Sequence, residues 1–316
     1  MTYKKIDLHA HYLSPGYKQF LHDYFDDLGD GVKTPAYEIE TTLDIMAQTN
    51  IDYSVISISS PHPNTGEKES TIALIQEVNS YGALQQATYP DKIGFFASLP
   101  IPYIQASLET IDSALDEQHA IGFTLPTNAH GVYLGDARLD AIMAKLNARS
   151  AIVAIHPNEP WTRDKNVAGE IPTPIMEFFF DTTRTVMNML QNEIFTRYPN
   201  IRFIIPHGGA VLSLLVERVG LAQALNPALT DAQVNLKDVM KNLYFDVAGF
   251  VLPQQLPALM DFIDVKKIVY ASDTPYTPTP AVLSLAKVLE ETDLYSAEFK
   301  QKLFFENAQK LLQNSL

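Results

Sequence analysis

The sequence predicts an α/β protein of the (β/α)8, TIM-type barrel class, a single domain over residues 1–316 with an inserted loop region after the first strand. Two observations lead there. Short apolar runs recur along the whole chain, each followed by a loop and then a helical pattern, and eight such units fit its length. Runs such as residues 201–205, apolar but for Arg202, do not alternate, as suits a parallel strand buried on both faces. The count favours a closed barrel over an open doubly wound sheet. No Gly-x-Gly-x-x-Gly or Walker loop follows any of the runs, so no nucleotide cradle is expected.

The units follow one another directly. Strand one covers residues 4–9 and leads into a Tyr-, Asp- and Gly-rich stretch, residues 12–36, read as a loop inserted near the barrel mouth before a helix at 38–49. Strand two (51–57) runs into Ser60-Pro61-His62-Pro63-Asn64 and a helix at 69–88; strand three (92–99) is followed by a helix at 106–118. Strand four (121–125) ends in Asn128-Ala129-His130-Gly131 before a helix at 138–149. Strand five (151–155) passes into His156-Pro157-Asn158, a long loop and a helix at 174–197. Strand six (201–206) ends in His207-Gly208-Gly209, with a helix through Leu225. Strand seven (243–247) precedes a helix at 253–262, and strand eight (267–271) ends in Ser272-Asp273-Thr274-Pro275.

Composition narrows the chemistry. A hydrophobic content of 46% and a charged content of 19% describe a soluble globular protein with a large core. The net charge of -14 argues against nucleic acid or an anionic membrane as partner, though not against a small anionic substrate that responds to local charge. With no cysteine there are no disulfides, thiolate ligands or cysteine nucleophiles, so any metal must use histidine, carboxylate and water. The N-terminus lacks the apolar core of a signal peptide and no apolar run approaches ~18 residues, which makes a cytoplasmic protein the expectation.

In barrel enzymes the chemistry sits on the loops at the C-terminal strand ends. The notable polar residues fall there: His9 and His11 after strand one, His62 after two, His130 after four, His156 after five, His207 after six and Asp273 after eight. Only His22 and His119 lie elsewhere, where a satisfied surface or core histidine is the natural reading. Within Ile6-Asp7-Leu8-His9-Ala10-His11, residues two apart on a strand share a face, so His9 and His11 aim at one point; Asp7 is placed on their face, with Ile6 and Leu8 opposite. Alone, the pair reads as two ordinary polar residues at a strand end. Together with His156, His207 and Asp273 at the same barrel end, it is a donor set suited to zinc, manganese, iron or cobalt.

These motifs carry a resemblance. Asp-x-His-x-His on strand one, His-Pro on five, Pro-His-Gly-Gly on six and Ser-Asp-x-Pro on eight are similar to the amidohydrolase superfamily. Within it the chain resembles the branch that includes aminocarboxymuconate-semialdehyde decarboxylase and the hydroxybenzoate decarboxylases. Further support comes from residues 178–184 (Phe-Phe-Phe-Asp-Thr-Thr-Arg), 197–201 (Arg-Tyr-Pro-Asn-Ile) and Tyr244-Phe245-Asp246. The resemblance implies that His9, His11, His156 and Asp273 hold one divalent metal, zinc first and manganese second, with His207 beside it as acid or base. It implies a homodimer, and a decarboxylase of a small hydroxybenzoate-like or enol-type carboxylic acid; the alternative is a mononuclear hydrolase of a lactone or amide. Binuclear relatives carry a lysine at the end of strand four, and residues 122–128 have none, which favours one metal.

Decarboxylation needs a Lewis acid on the substrate's oxygens and an acid that protonates the carbon losing carbon dioxide, for which His207 and Asp273 are the candidates. Tyr12, Trp161, Phe179 and Tyr276 are read as an aromatic mouth around a flat ring. Arg184 is the expected carboxylate clamp, with Arg163 weaker, and Asn128, His62 and His130 are further substrate contacts. No arginine precedes Arg138, a departure from the branch that favours a simple aromatic acid over an amino-muconate.

Overall fold

A computed structural model describes residues 3–164, 166–225 and 235–313. Eight strands form one sheet in the order β1 (Lys5–His11), β2 (Ile51–Ser57), β3 (Ile93–Ser98), β4 (Gly122–Pro126), β7 (Ile152–His156), β8 (Arg202–Ile205), β9 (Tyr244–Asp246) and β10 (Ile268–Val269). The pairs along this order are parallel. A small antiparallel pair, β5 (Asn128–Ala129) and β6 (Val132–Tyr133), decorates the loop after β4. Backbone hydrogen bonds draw the two ends of the sheet together: the Leu8 N–H donates to the Tyr270 carbonyl (3.1 Å), the Asp273 N–H to the His9 carbonyl (2.8 Å), and the His11 N–H to the Thr274 carbonyl (2.7 Å). The result is the nearly closed barrel that the sequence predicts.

Around it run α1 (Pro15–Phe25), α2 (Ile39–Thr49), α3 (Lys68–Thr88), α4 (Ile104–Asp116), α5 (Asp140–Ala148), α6 (Thr173–Gln191), α7 (Ile194–Arg197), α8 (Leu212–Leu225), α9 (Leu236–Met240), α10 (Gln255–Met260), α11 (Thr279–Glu291), α12 (Ala297–Gln301) and α13 (Asn307–Leu312). One buried cluster holds Ile6, Leu8, Val55, Phe96, Ile121, Ile152, Ile204 and Val269, with Tyr244 against it, a set that only the barrel interior brings together. Ala308, Leu311 and Leu312 of α13 join it where the strands begin, and the Leu311 carbonyl accepts from Arg202 at the start of β8. The C-terminal helix therefore closes the bottom of the barrel, and the top is left for function.

Three expectations are corrected. The stretch 12–36 is not a plain loop, because it contains α1. Ser14 caps that helix by accepting from the Tyr17 N–H, Pro15 occupies its first turn, and Tyr17, Phe20 and Leu21 bury one face. Further on, the helix expected at 174–197 is broken by Glu193, which adopts a left-handed conformation between α6 and α7. On β1, Ile6 and Leu8 point into the barrel rather than away from the histidines. A register shift against β2 between Asp7 and Ala10 accounts for this, since a bulge resets which side chains face inward. Asp7 is left pinned to the segment after β10, accepting from the Ser272 N–H (3.1 Å), the Ser272 hydroxyl (2.5 Å) and the His9 N–H (3.1 Å). It braces the His9 backbone and does not touch a metal-facing imidazole. Burial raises its carboxyl to about 6.

Candidate metal centre and the cavity beside it

His9, His11 and His156 bring their ring nitrogens into one cluster at the barrel top, and His9, His207 and Asp273 form a second overlapping one, ligand atoms within 4.8 Å of one another in each. The bulge on β1 lets two residues of one strand converge until His9 Nε2 and His11 Nε2 are 3.1 Å apart. Asp273 Oδ1 lies 3.1 Å from His11 Nε2 and 3.7 Å from His9 Nε2. His156 packs edge-on to both rings at 5.4 and 4.9 Å between centroids.

The outer nitrogen of each ring is already committed. His9 Nδ1 faces Asp246 Oδ2 at 2.8 Å, and His156 Nδ1 faces the Pro157 carbonyl at 2.9 Å. His11 Nδ1 faces the Ser57 carbonyl at 3.4 Å and the Ser57 hydroxyl at 3.3 Å. Carboxylates and carbonyls only accept, so each neutral ring carries its proton on Nδ1 and turns the Nε2 lone pair inward. Three inward lone pairs and a carboxylate repel one another unless a cation sits among them, and that donor set fits a single divalent metal.

The electrostatics agree. Burial pushes the His9 ring down, but the Asp246 and Asp273 carboxylates outweigh it and lift it to about 9. Burial lowers His11, and it lowers His156 well below the ordinary range with help from the His11 and His9 rings. Burial pushes the Asp273 carboxyl up, yet the His11 and His207 rings bonded to it hold it well below the usual carboxylate range. The centre is an anionic pocket in which burial keeps the His11 and His156 rings neutral, while His9 holds a proton that a metal ion must displace.

His207 stands at the edge of this group, its Nε2 3.9 Å from Asp273 Oδ2, in a turn with φ 53. Its N–H donates to Asp246 Oδ1 (2.8 Å), its carbonyl accepts from Gln255 (2.6 Å), and its ring stacks on Phe179 at 6.1 Å. Asp246, at the last position of β9, thus orients both His9 and His207. It was not singled out as a site residue, although the Tyr-Phe-Asp segment that carries it is part of the resemblance.

A model of the amidohydrolase family matches residues 6–313, a span that includes every residue of this centre. The chain belongs to the amidohydrolase family. It is 30% identical over 295 residues to the 6-methylsalicylic acid decarboxylase of Penicillium expansum, covering 92% of this chain and 90% of that one. A solved structure described as amidohydrolase II is 44% identical with a TM-score of 0.94, covering 98% of this chain and 100% of that chain. A dihydroxybenzoic acid decarboxylase from Polaromonas sp. JS666, solved with manganese and the inhibitor 2-nitroresorcinol, shares the fold at 18% identity and a TM-score of 0.85, covering 99% and 98% of the two chains.

In this amidohydrolase the expected substrate contacts separate into two groups. His62, Asn128, His130 and Trp161 line one cavity of about 400 Å³ together with Asp30, Asn158 and Arg163. Its walls are the segments after β1, β2, β4 and β7; β2 ends in Ser57 and β7 in His156, both at the centre. Not all of these side chains are free. Asn128 donates its amide to Asp181 Oδ2 (3.0 Å) and the Glu159 carbonyl (3.1 Å), and His62 Nε2 faces the Leu99 carbonyl (3.0 Å). Burial lowers the His62 ring to about 4, which leaves it neutral. Trp161 is 58% exposed at the rim, where its ring lies so close to Gly131 that an added Cβ would meet it at 2.7 Å.

Arg184 is not brought to the cavity. It lies on α6, 51% exposed, with Nη1 2.9 Å from Asp181 Oδ1. Asp181 is the residue that this helix turns inward, and Thr127, Asn128 and Tyr133 all donate to it. Of the four aromatics, Phe179 stacks on His207 and Tyr276 meets the His11 ring edge-on at 5.7 Å. Tyr12 is instead fully buried, bonded to the Val78 carbonyl and stacked on Tyr81 in the core.

Proposed function

We propose that this chain is a metal-dependent, non-oxidative decarboxylase of a small hydroxylated aromatic acid, held by His9, His11, His156 and Asp273 around one zinc or manganese ion. The observation that carries the reading is the convergence of three imidazole lone pairs and one carboxylate. A 30%-identical relative named as a 6-methylsalicylic acid decarboxylase supports the substrate class. When bound, the metal supplies Lewis acidity toward the substrate's carboxylate and the neighbouring phenolic oxygen. In the reaction the bond from ring carbon to carboxylate breaks, carbon dioxide leaves, and a proton takes its place on the ring.

His207 delivers that proton. Asp273 is held ionised by its neighbours, so it serves better to keep the His207 ring in place than to act as the acid. Phe179 on one face of His207 and Tyr276 beside His11 put apolar ring surface next to the centre, where it helps to exclude water. The cavity lined by His62, Asn128, His130 and Trp161 accommodates the rest of the substrate. A screen of hydroxybenzoates for carbon dioxide release, run beside lactones for ring opening, tests the reaction: release from at least one benzoate is expected, and lactone hydrolysis alone would assign the site to a hydrolase.

The enzyme is proposed to work as a cytoplasmic homodimer. Among the described helices, none is long and apolar enough to cross a membrane. Helix α8 exposes Leu214, Leu221 and Leu225, an apolar set that water-facing helices normally avoid. Light scattering at micromolar protein should give twice the chain mass, and Leu221→Glu with Leu225→Glu should shift it to one.

A further inference from the structure

One group in the cavity wall is left without a use by the chemistry above. Asp30 lies at the centre of the Gly29–Gly31 turn, 8% exposed, and lines the cavity. Ser60 and the Glu159 backbone hydrogen-bond to its carboxyl, while Oδ2 is buried without a partner. The turn is built for close approach. A Cβ on Gly29 would stand 2.6 Å from Pro61 Cδ, Gly31 has φ +74, and Asp30 itself adopts φ 54. A glycine on each side therefore lets one carboxyl be pressed into the wall beside the loops after β2 and β7.

Among the described residues no neighbouring group donates to that oxygen, although Arg163 acts on the carboxyl through its charge and the Tyr276 hydroxyl is likewise buried without a partner. Arg163 Nε lies 2.9 Å from Glu159 Oε1, the His62 ring is bonded to the Leu99 carbonyl, and Asn128 is bonded to Asp181. Burial raises the Asp30 carboxyl to about 7, because its ionised form carries an acceptor that is costly to leave unpaired, so Oδ2 marks a place where a ligand brings the donor and favours that form. The place adjoins the metal centre. Tyr276, whose ring touches that of His11, has a hydroxyl raised by burial and by the Asp30 and Asp273 carboxylates together. Ser59, one residue before Ser60, has its hydroxyl 3.5 Å from His156 Nε2.

We propose that Asp30 determines substrate specificity, accepting a hydrogen bond from a second phenolic hydroxyl on the part of the ring that extends away from the metal centre. The proposal rests on the decarboxylase reading for the identity of the substrate. A ring with hydrogen or methyl at that position leaves Oδ2 unpaired, so a dihydroxybenzoate is favoured over 2-hydroxybenzoate or its 6-methyl derivative.

The test has two arms, each with the metal-loaded protein and its Asp30→Asn and Asp30→Ala variants; asparagine retains the left-handed turn should alanine destabilise it. In the first arm, kcat/KM for the best of the 2,3-, 2,4-, 2,5- and 2,6-dihydroxybenzoates is divided by that for 2-hydroxybenzoate. The ratio should be on the order of 10 to 100 in the parent protein and fall at least tenfold in Asp30→Ala and measurably in Asp30→Asn. In the second arm, ligand-observed NMR titrations compare resorcinol with phenol. Tighter resorcinol binding that is lost in the variants upholds the proposal even where no benzoate releases carbon dioxide, in which case the reaction assignment alone fails. A parent protein that does not distinguish the two phenols, or variants that keep the parent's preference in both arms, overturns it.

Discussion

Replacing Asp246 with asparagine should disable the metal centre without disturbing its shape. Oδ1 of Asp246 accepts two backbone N–H bonds, from His207 at 2.8 Å and Ala248 at 3.1 Å. An asparagine must keep its oxygen there, which puts its amide nitrogen where Oδ2 now faces His9 Nδ1 at 2.8 Å. Two donors cannot face each other, so the His9 ring is forced into the other tautomer, with its proton on Nε2. That proton points at His11 Nε2, 3.1 Å away, and ties up a second lone pair of the same site. Substitutions of such supporting carboxylates cost roughly 10- to 100-fold in metal affinity, or about 1.4–2.7 kcal/mol. With two of three imidazoles affected, the upper end is expected. Competition titration of zinc against a chromophoric chelator measures it, with circular dichroism to confirm the fold. Parent-like affinity in folded Asp246→Asn would refute the tautomer argument.

Three further outcomes follow from the same geometry. His207→Ala should retain metal and lose about 10²–10⁴ in kcat, measured by carbon dioxide release; loss of metal would make His207 a ligand. Because His9 is lifted to about 9, metal must displace a proton from it at lower pH. Apparent metal affinity should therefore rise about tenfold per unit, roughly 100-fold from pH 6 to pH 8, and a flat profile would contradict the assignment of His9. Arg184→Ala should leave the affinity for benzoate ligands unchanged and cost less than about 1 kcal/mol in denaturant unfolding, since its half-exposed ion pair is one of several contacts to Asp181. A clear loss of benzoate affinity would return Arg184 to the site.

The barrel was legible because apolar strands terminate in polar residues at one end, a pattern that survives errors of a few residues at every boundary. The same pattern named the centre, since His9 and His11 lie at the end of β1, His156 ends β7, and His207 and Asp273 follow β8 and β10. What escaped depends on local backbone geometry. The bulge between Asp7 and Ala10 reverses the alternation on which the facing of Asp7 was argued. Helix α1 was announced by Ser14-Pro15, a cap followed by a first-turn proline, but the surrounding Tyr, Asp and Gly content pointed to loop. On α6 the choice between Asp181 and Arg184 is one of helix phase, and only packing against Thr127 and Tyr133 decides which faces inward. Asp30 enters its cavity through a left-handed turn that its two flanking glycines permit but do not announce.

The most direct test of the account is carbon dioxide release from hydroxybenzoates by protein of measured metal content, before and after chelation. The account predicts about one zinc or manganese ion per chain, release that disappears on chelation while the fold persists, and recovery on adding metal back. Release that is unaffected by metal removal, or metal-loaded protein that releases no carbon dioxide from any member of the series, would contradict it.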